Sequence, residues 1–154
     1  MAETPRQRIL LVDDDPGILE AMGILLREEG YEIATAANGF DALMQLNLAT
    51  PDVIVSDLNM PRMSGYDFLS FVRRRFSSIP LIAMSGDYEA DLRFPGGVIA
   101  DAFFAKGRCH PEDLLRTIAA LLETAAARPI SHQRQAELLQ MSHYGSDSNG
   151  VPFM

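Results

Sequence analysis

The sequence predicts an α/β fold: a doubly wound sheet of five parallel strands with helices on both faces. Three observations predict it. Short apolar runs of strand length alternate with stretches of helical period along the chain. Runs such as Val53, Ile54 and Val55 are continuously apolar, as in strands buried on both faces. Polar groups recur where those runs stop, and that is where open α/β sheets place their binding crevice.

The first run, residues 9–12, stops at Asp13, Asp14 and Asp15. Asp15 and Pro16 then start a helix, an N-cap followed by a residue suited to the first helical position. Ile18, Met22, Leu25 and Glu29 continue it at helical spacing, Leu19 and Leu26 widen its apolar stripe, and Gly30 ends it. Residues 31–36 alternate weakly and read as the second strand. Asn38-Gly39 is a turn, and Phe40, Leu43 and Leu46 carry a second helix stopped by Thr50-Pro51. The third strand runs through residues 53–55 to Asp57. Pro61, Ser64 and Gly65 force a loop after it, and residues 66–76 read as a third helix that buries Phe68, Leu69, Val72 and Phe76.

Residues 79–84 read as the fourth strand, ending at Ser85-Gly86. Residues 87–100 predict a short, broken or mobile fourth helix: Tyr88, Leu92, Val98 and Ile99 have helical spacing, but Pro95-Gly96-Gly97 interrupts them. Residues 102–105 are the fifth strand, ending at Lys106-Gly107. Pro111 opens a fifth helix, with Glu112 and Asp113 at the positive end of its dipole and Leu114, Leu115, Ile118, Leu121 and Leu122 as its apolar face.

The chain of 154 residues fits one domain, residues 7–126, with a C-terminal extension over 127–154 that reads as partly helical or disordered. Ile130, Leu138 and Met141 could line a short amphipathic helix there. Net charge is −8, which argues against a basic nucleic-acid surface and suits a cation ligand or a basic partner. A lone cysteine, Cys109, excludes an internal disulfide and suits a reducing compartment. No signal peptide or membrane-length apolar run is present, so the expectation is a soluble, cytoplasmic protein.

In the strand order 2-1-3-4-5, strands one and three lie side by side at the switch point. Asp13, Asp14, Asp57, Ser85 and Lys106 would then share one crevice. Taken singly, each has a plainer explanation: a helix cap, a turn former, a solvated strand end. Jointly they have a chemical meaning. Packed carboxylates repel, and a hard cation such as Mg²⁺ relieves the repulsion. Carboxylates, a metal and phosphate oxygens together make a phosphoryl-transfer site. Asp57, on the central strand, is the expected nucleophile; Ser85 can donate to a phosphoryl oxygen, and the Lys106 ammonium can neutralise developing charge.

The chain resembles the receiver domains of two-component response regulators. The resemblance rests on LLVDDDP at 10–16, on D-x-x-M-P-x-M-x-G at Asp57, Met60, Pro61, Met63 and Gly65, on the hydroxyl of Ser85 and on Lys106. It implies a flavodoxin-like fold and an aspartate, Asp57, phosphorylated by a histidine kinase or histidine phosphotransfer protein. It also implies Mg²⁺ held by Asp13, Asp14, Asp57 and the backbone carbonyl of Asn59, and an aromatic switch at Phe103. Asn59 and Asp87 fall where receivers flank the path of the attacking water, which implies a short-lived phosphoryl group.

Some positions depart from the family pattern. Gly107 stands where proline usually follows the lysine, Phe103 lacks the tyrosine hydroxyl, and Pro95-Gly96-Gly97 falls in the usual output region. The expected output is a protein target, with no DNA-binding domain, no nucleic-acid or membrane partner, and a monomeric or weakly homodimeric state. The alternative is a phosphorylation-independent interaction module of the same fold. A phosphatase using a strand-end aspartate needs a second acid two residues on, where Asn59 stands, so the chain is not expected to be an enzyme.

Overall fold

The computed structural model describes residues 5–86, 93–94, 97–98, 100–107 and 110–127. The expectations for the 128–154 extension, for residues 87–92 and for Cys109 lie outside these. The elements are β1 (Arg8–Val12), α1 (Pro16–Glu28), β2 (Glu32–Ala36), α2 (Gly39–Leu48), β3 (Val53–Asp57) and α3 (Gly65–Arg75). They continue with β4 (Leu81–Ser85), β5 (Arg93–Phe94), β6 (Gly97–Val98), β7 (Ala102–Ala105) and α4 (Pro111–Ala127).

The helices start and stop where local chemistry directs. The Asp15 carboxylate accepts from the N–H of Gly17 at 2.9 Å, with Pro16 next in the chain. Gly30, at φ +96°, ends α1 in a conformation that costs other residues a Cβ clash. Asn38 caps α2 through the N–H of Asp41, and Ser64 caps α3 through the N–H of Asp67.

The main sheet is parallel throughout, in the order β2-β1-β3-β4-β7, which is the 2-1-3-4-5 order expected. Two apolar clusters cover its faces. Leu10, Ile54 and Leu81 meet Ala42 and Leu46 of α2 and Phe68, Leu69 and Val72 of α3. Ile9, Leu11, Val53, Val55 and Ile82 meet Leu26 of α1 and Leu114, Ile118 and Leu122 of α4. Each buried Leu, Ile or Phe contributes roughly 1.5–3 kcal/mol. No helix among the described residues is long and apolar enough to cross a membrane.

The fourth helix needs correction. Arg93 pairs with Val98 and Phe94 with Gly97 as a two-stranded antiparallel ladder, where a broken helix was expected. A helix through this stretch would carry Pro95 in its interior, losing a hydrogen bond and clashing with the preceding turn, beside two glycines of low helix propensity.

Asp101 ties three elements together at the edge where β4 and β7 begin. Its carboxylate accepts from the N–H of Leu81 at 2.8 Å and pairs with the Arg73 guanidinium of α3 at 2.9 Å, while its own N–H donates to the Leu81 carbonyl.

Candidate functional site

Val12 of β1 lies beside Ser56 of β3, so the next residues, Asp13 and Asp57, leave the sheet as neighbours. Asp57 in turn pairs with Met84, placing Ser85 one step further at the end of β4. Asp13, Asp57 and Ser85 are all buried, whereas Asp14 is exposed. One carboxylate oxygen from each of Asp13, Asp14 and Asp57 lies within 4.8 Å of the others.

Lys106 completes the cluster. Its backbone N–H donates to the Ser85 carbonyl at 2.8 Å, extending the ladder past Ala105. Its ammonium stands 2.5 Å from Asp13 Oδ2 and 3.0 Å from Asp57 Oδ2. Asp13 Oδ1 accepts from the N–H of Asp15 at 2.9 Å, and Asp57 Oδ1 from the N–H of Asn59 at 3.2 Å. Asp13 Oδ2 is fully buried and meets the Lys106 ammonium.

The electrostatics follow from one cation shared by two buried acids, with a third acid beside them. Burial pushes the Asp13 carboxyl above its ordinary range, and the Asp57 charge adds to this, although Lys106 and the Asp15 N–H pull the other way. For Lys106, burial pulls the pKa down, but hydrogen bonds and charges from Asp13 and Asp57 outweigh it and hold the ammonium above its usual value. Two buried carboxylates sharing one ammonium, a third acid beside them and an all-oxygen donor set fit a hard divalent cation such as Mg²⁺.

The loop after Asp57 is shaped by close packing. A Cβ on Gly65 would fall 1.8 Å from the Asp57 carbonyl oxygen, so only glycine fits there. The N–H of Gly65 donates to the Leu58 carbonyl, and the N–H of Leu58 to the Met84 carbonyl. Arg62 holds φ +68°, a strained value for a residue with a Cβ.

Each predicted site residue has a definite place. Asp13, Asp14, Asp57 and Lys106 converge, and Ser85 borders them at the adjoining strand end. Asn59 is exposed and touches Asp57 through its N–H. Phe103 sits back along β7, opposite Ala83, and packs against the apolar cluster under α2 and α3. Gly107 takes φ +80°, which proline cannot adopt, and Lys106 still reaches both acids. Lys106 also lines an apolar cleft of about 250 Å³ between α1 and α4, with Met22, Phe104 and Leu114. Sequence reasoning missed the Asp15 N–H bond and the Gly65 contact. The fixed Asp57-to-Gly65 spacing was the available signal for the second.

Comparison with known proteins agrees with this geometry. The family model for the response regulator receiver domain matches residues 9–119. The DNA-binding response regulator MtrA of Mycolicibacterium smegmatis is 40% identical over 83 residues, which cover 54% of this chain and 36% of that protein. The transcriptional regulatory protein GlrR of Escherichia coli is 38% identical over 77 residues, 50% of this chain and 17% of GlrR. The match thus spans about a third of MtrA, or less of GlrR. The chemotaxis response regulator CheY4 of Vibrio cholerae superimposes with a TM-score of 0.68 at 32% identity, covering 76% of this chain and 99% of that one. The response regulator TrrA of Thermotoga maritima, solved with Mg²⁺ and BeF, gives 0.67 at 32% identity over 75% of this chain and 98% of its own. Receiver domains bind Mg²⁺ through an acidic pocket and interact with histidine kinases or phosphotransfer proteins. With the sheet order, the pocket and the matched residues in agreement, this chain belongs to the response regulator receiver domain family.

Proposed function

We propose that Asp57 is the phosphoacceptor of this receiver and takes its phosphoryl group, in a Mg²⁺-dependent reaction, from a histidine kinase or histidine phosphotransfer protein. The observation that carries this is the buried Asp57 carboxylate at the end of the central strand, with the Lys106 ammonium at 3.0 Å and the oxygens of Asp13 and Asp14 beside it. Asp13, Asp14, Asp57 and the Asn59 carbonyl would hold Mg²⁺, which when bound offsets the charge gathered among the acids and the phosphoryl oxygens.

An Asp57 carboxylate oxygen attacks phosphorus, forming the P–O bond as the P–N bond to the donor imidazole breaks. The imidazole leaves with the electron pair and takes up a proton. Lys106 leaves its carboxylate contacts to meet a phosphoryl oxygen, and the Ser85 hydroxyl donates to another. Ser85 moves inward, Phe103 turns into the vacated space, and the equilibrium between two surface states shifts.

The output is a protein target in the cytoplasm, in keeping with a net charge of −8 and a lone cysteine. The chain accepts a phosphoryl group and does not turn over phosphate esters, in keeping with Asn59 two residues after the nucleophile. The test is label transfer from a phosphorylated donor with Mg²⁺ or with EDTA. Label on the wild type with Mg²⁺ and none on Asp57→Asn is expected; label on Asp57→Asn overturns the assignment. A target bound equally well by wild type and Asp57→Ala would point to a phosphorylation-independent module.

A further inference from the structure

Four of the five large apolar side chains exposed among the described residues belong to α2 and α3. Phe40, Met44 and Leu48 follow at every fourth position of α2 and are 52%, 65% and 76% exposed. They form a stripe that the inward-facing Gly39, Ala42 and Leu46 leave to solvent. Phe71 of α3 is 39% exposed. Arg73 reaches Asp101 on the β7 side of α3, and Phe71, two residues earlier, lies on the opposite flank, toward α2. The two helices pack together on one face of a parallel sheet and run in the same direction, so their exposed residues make one patch.

The patch is charged at both ends, with opposite signs. Asp41 and Asp67, both exposed, stand in the first turns of α2 and α3. Arg74 and Arg75, both exposed, stand in the last turn of α3, about 11–12 Å further along the helix axis. No ion pair links these arginines to an acid among the described residues.

We infer that this α2–α3 face is the contact of a symmetric homodimer. A two-fold axis through the middle of the patch, perpendicular to both helices, lays the apolar stripe on its own copy. The same operation lays each helix antiparallel on its own copy and sets Asp67 of one copy against Arg74 and Arg75 of the other. An isologous contact needs a surface complementary to itself, and an apolar centre between an acidic and a basic end meets that need. The patch is small and each copy carries a net charge of −8, so association is weak, with Kd in the range of roughly 10–500 µM. The inference is independent of phosphorylation.

The test is sedimentation velocity on the full chain over a concentration series. Reversible dimerisation is expected, weakened at least about tenfold by Met44→Glu and unchanged by Ile24→Glu on α1. The variants Arg74→Glu/Arg75→Glu and Asp67→Arg should each lose self-association, because like charges then meet. Mixed, the two should form a heterodimer, which a fold defect cannot produce. A monomer up to about 1 mM, a dimer that survives Met44→Glu, or a mixture no tighter than its components would overturn the inference.

Discussion

Gly65 presses its α-carbon against the backbone of Asp57 so closely that a methyl group would sit 1.8 Å from the Asp57 carbonyl oxygen. The obstacle is backbone, which cannot swing aside, so Gly65→Ala must displace either Asp57 or the start of α3. A loss of about 2–4 kcal/mol in urea denaturation is expected, together with a slower rate of label uptake at Asp57. Normal stability with an unchanged rate would show that the loop adapts without cost.

Asp13 gives a prediction of opposite sign. Its carboxyl is raised above the ordinary value of 3.8, chiefly by burial. For an acid raised by folding, stability falls as pH climbs from 3.8 through the native pKa. In EDTA, Asp13→Asn is therefore expected to melt above the wild type at pH 7. The gain should shrink on acidification, and stabilisation of the variant by added Mg²⁺ should be much weaker. A variant that melts lower than wild type at pH 7 in EDTA would contradict this.

Lys106 opposes that cost. Its pKa is raised above 10.5, because Asp13 and Asp57 outweigh its burial. Its contribution is fully present below pH 10.5 and disappears as pH rises through the native value. Lys106→Met in EDTA should lose about 1–3 kcal/mol at pH 7, with the gap to wild type closing above pH 10.5. Denaturant titrations at several pH values check the sign.

Gly107 makes a third kind of case. Receivers usually carry proline there, yet restoring it here should be harmful. At φ +80° the residue adopts a conformation closed to the proline ring. Gly107→Pro is expected to cost about 1–3 kcal/mol and to slow label uptake, because Lys106 must turn with the loop. Thermal melts and phosphotransfer rates on the two proteins decide it.

Strand identity was legible because it depends on local pattern, and the 2-1-3-4-5 order common to this fold type then implied that Asp13, Asp14, Asp57 and Lys106 converge. Residues 53–55 are apolar, with Ser56 between them and the acid, and Asp13, Ser85 and Lys106 likewise close short strand-like runs. What was not legible depends on long-range contact. The closeness of Gly65 to Asp57 arises from a loop folding back over eight residues. The Asp101 carboxylate spans twenty residues to Leu81 and twenty-eight to Arg73, with no local mark. The pairing of Arg93–Phe94 with Gly97–Val98 leaves no local mark, because the spacing of Val98 fits helix and strand alike.

Asp101 also decides where this molecule can bend. It bolts the starts of β4 and β7 to the last turn of α3, at the pole of the sheet away from the acids. Ser85 and Lys106 stand at the opposite ends of those same strands, tied to each other and to the acids. A change of charge in the pocket therefore acts on the ends of β4 and β7 whose far ends Asp101 holds. In deuterium exchange the Leu81 amide should be among the slowest, while the Lys106 amide should respond most to charging of the pocket.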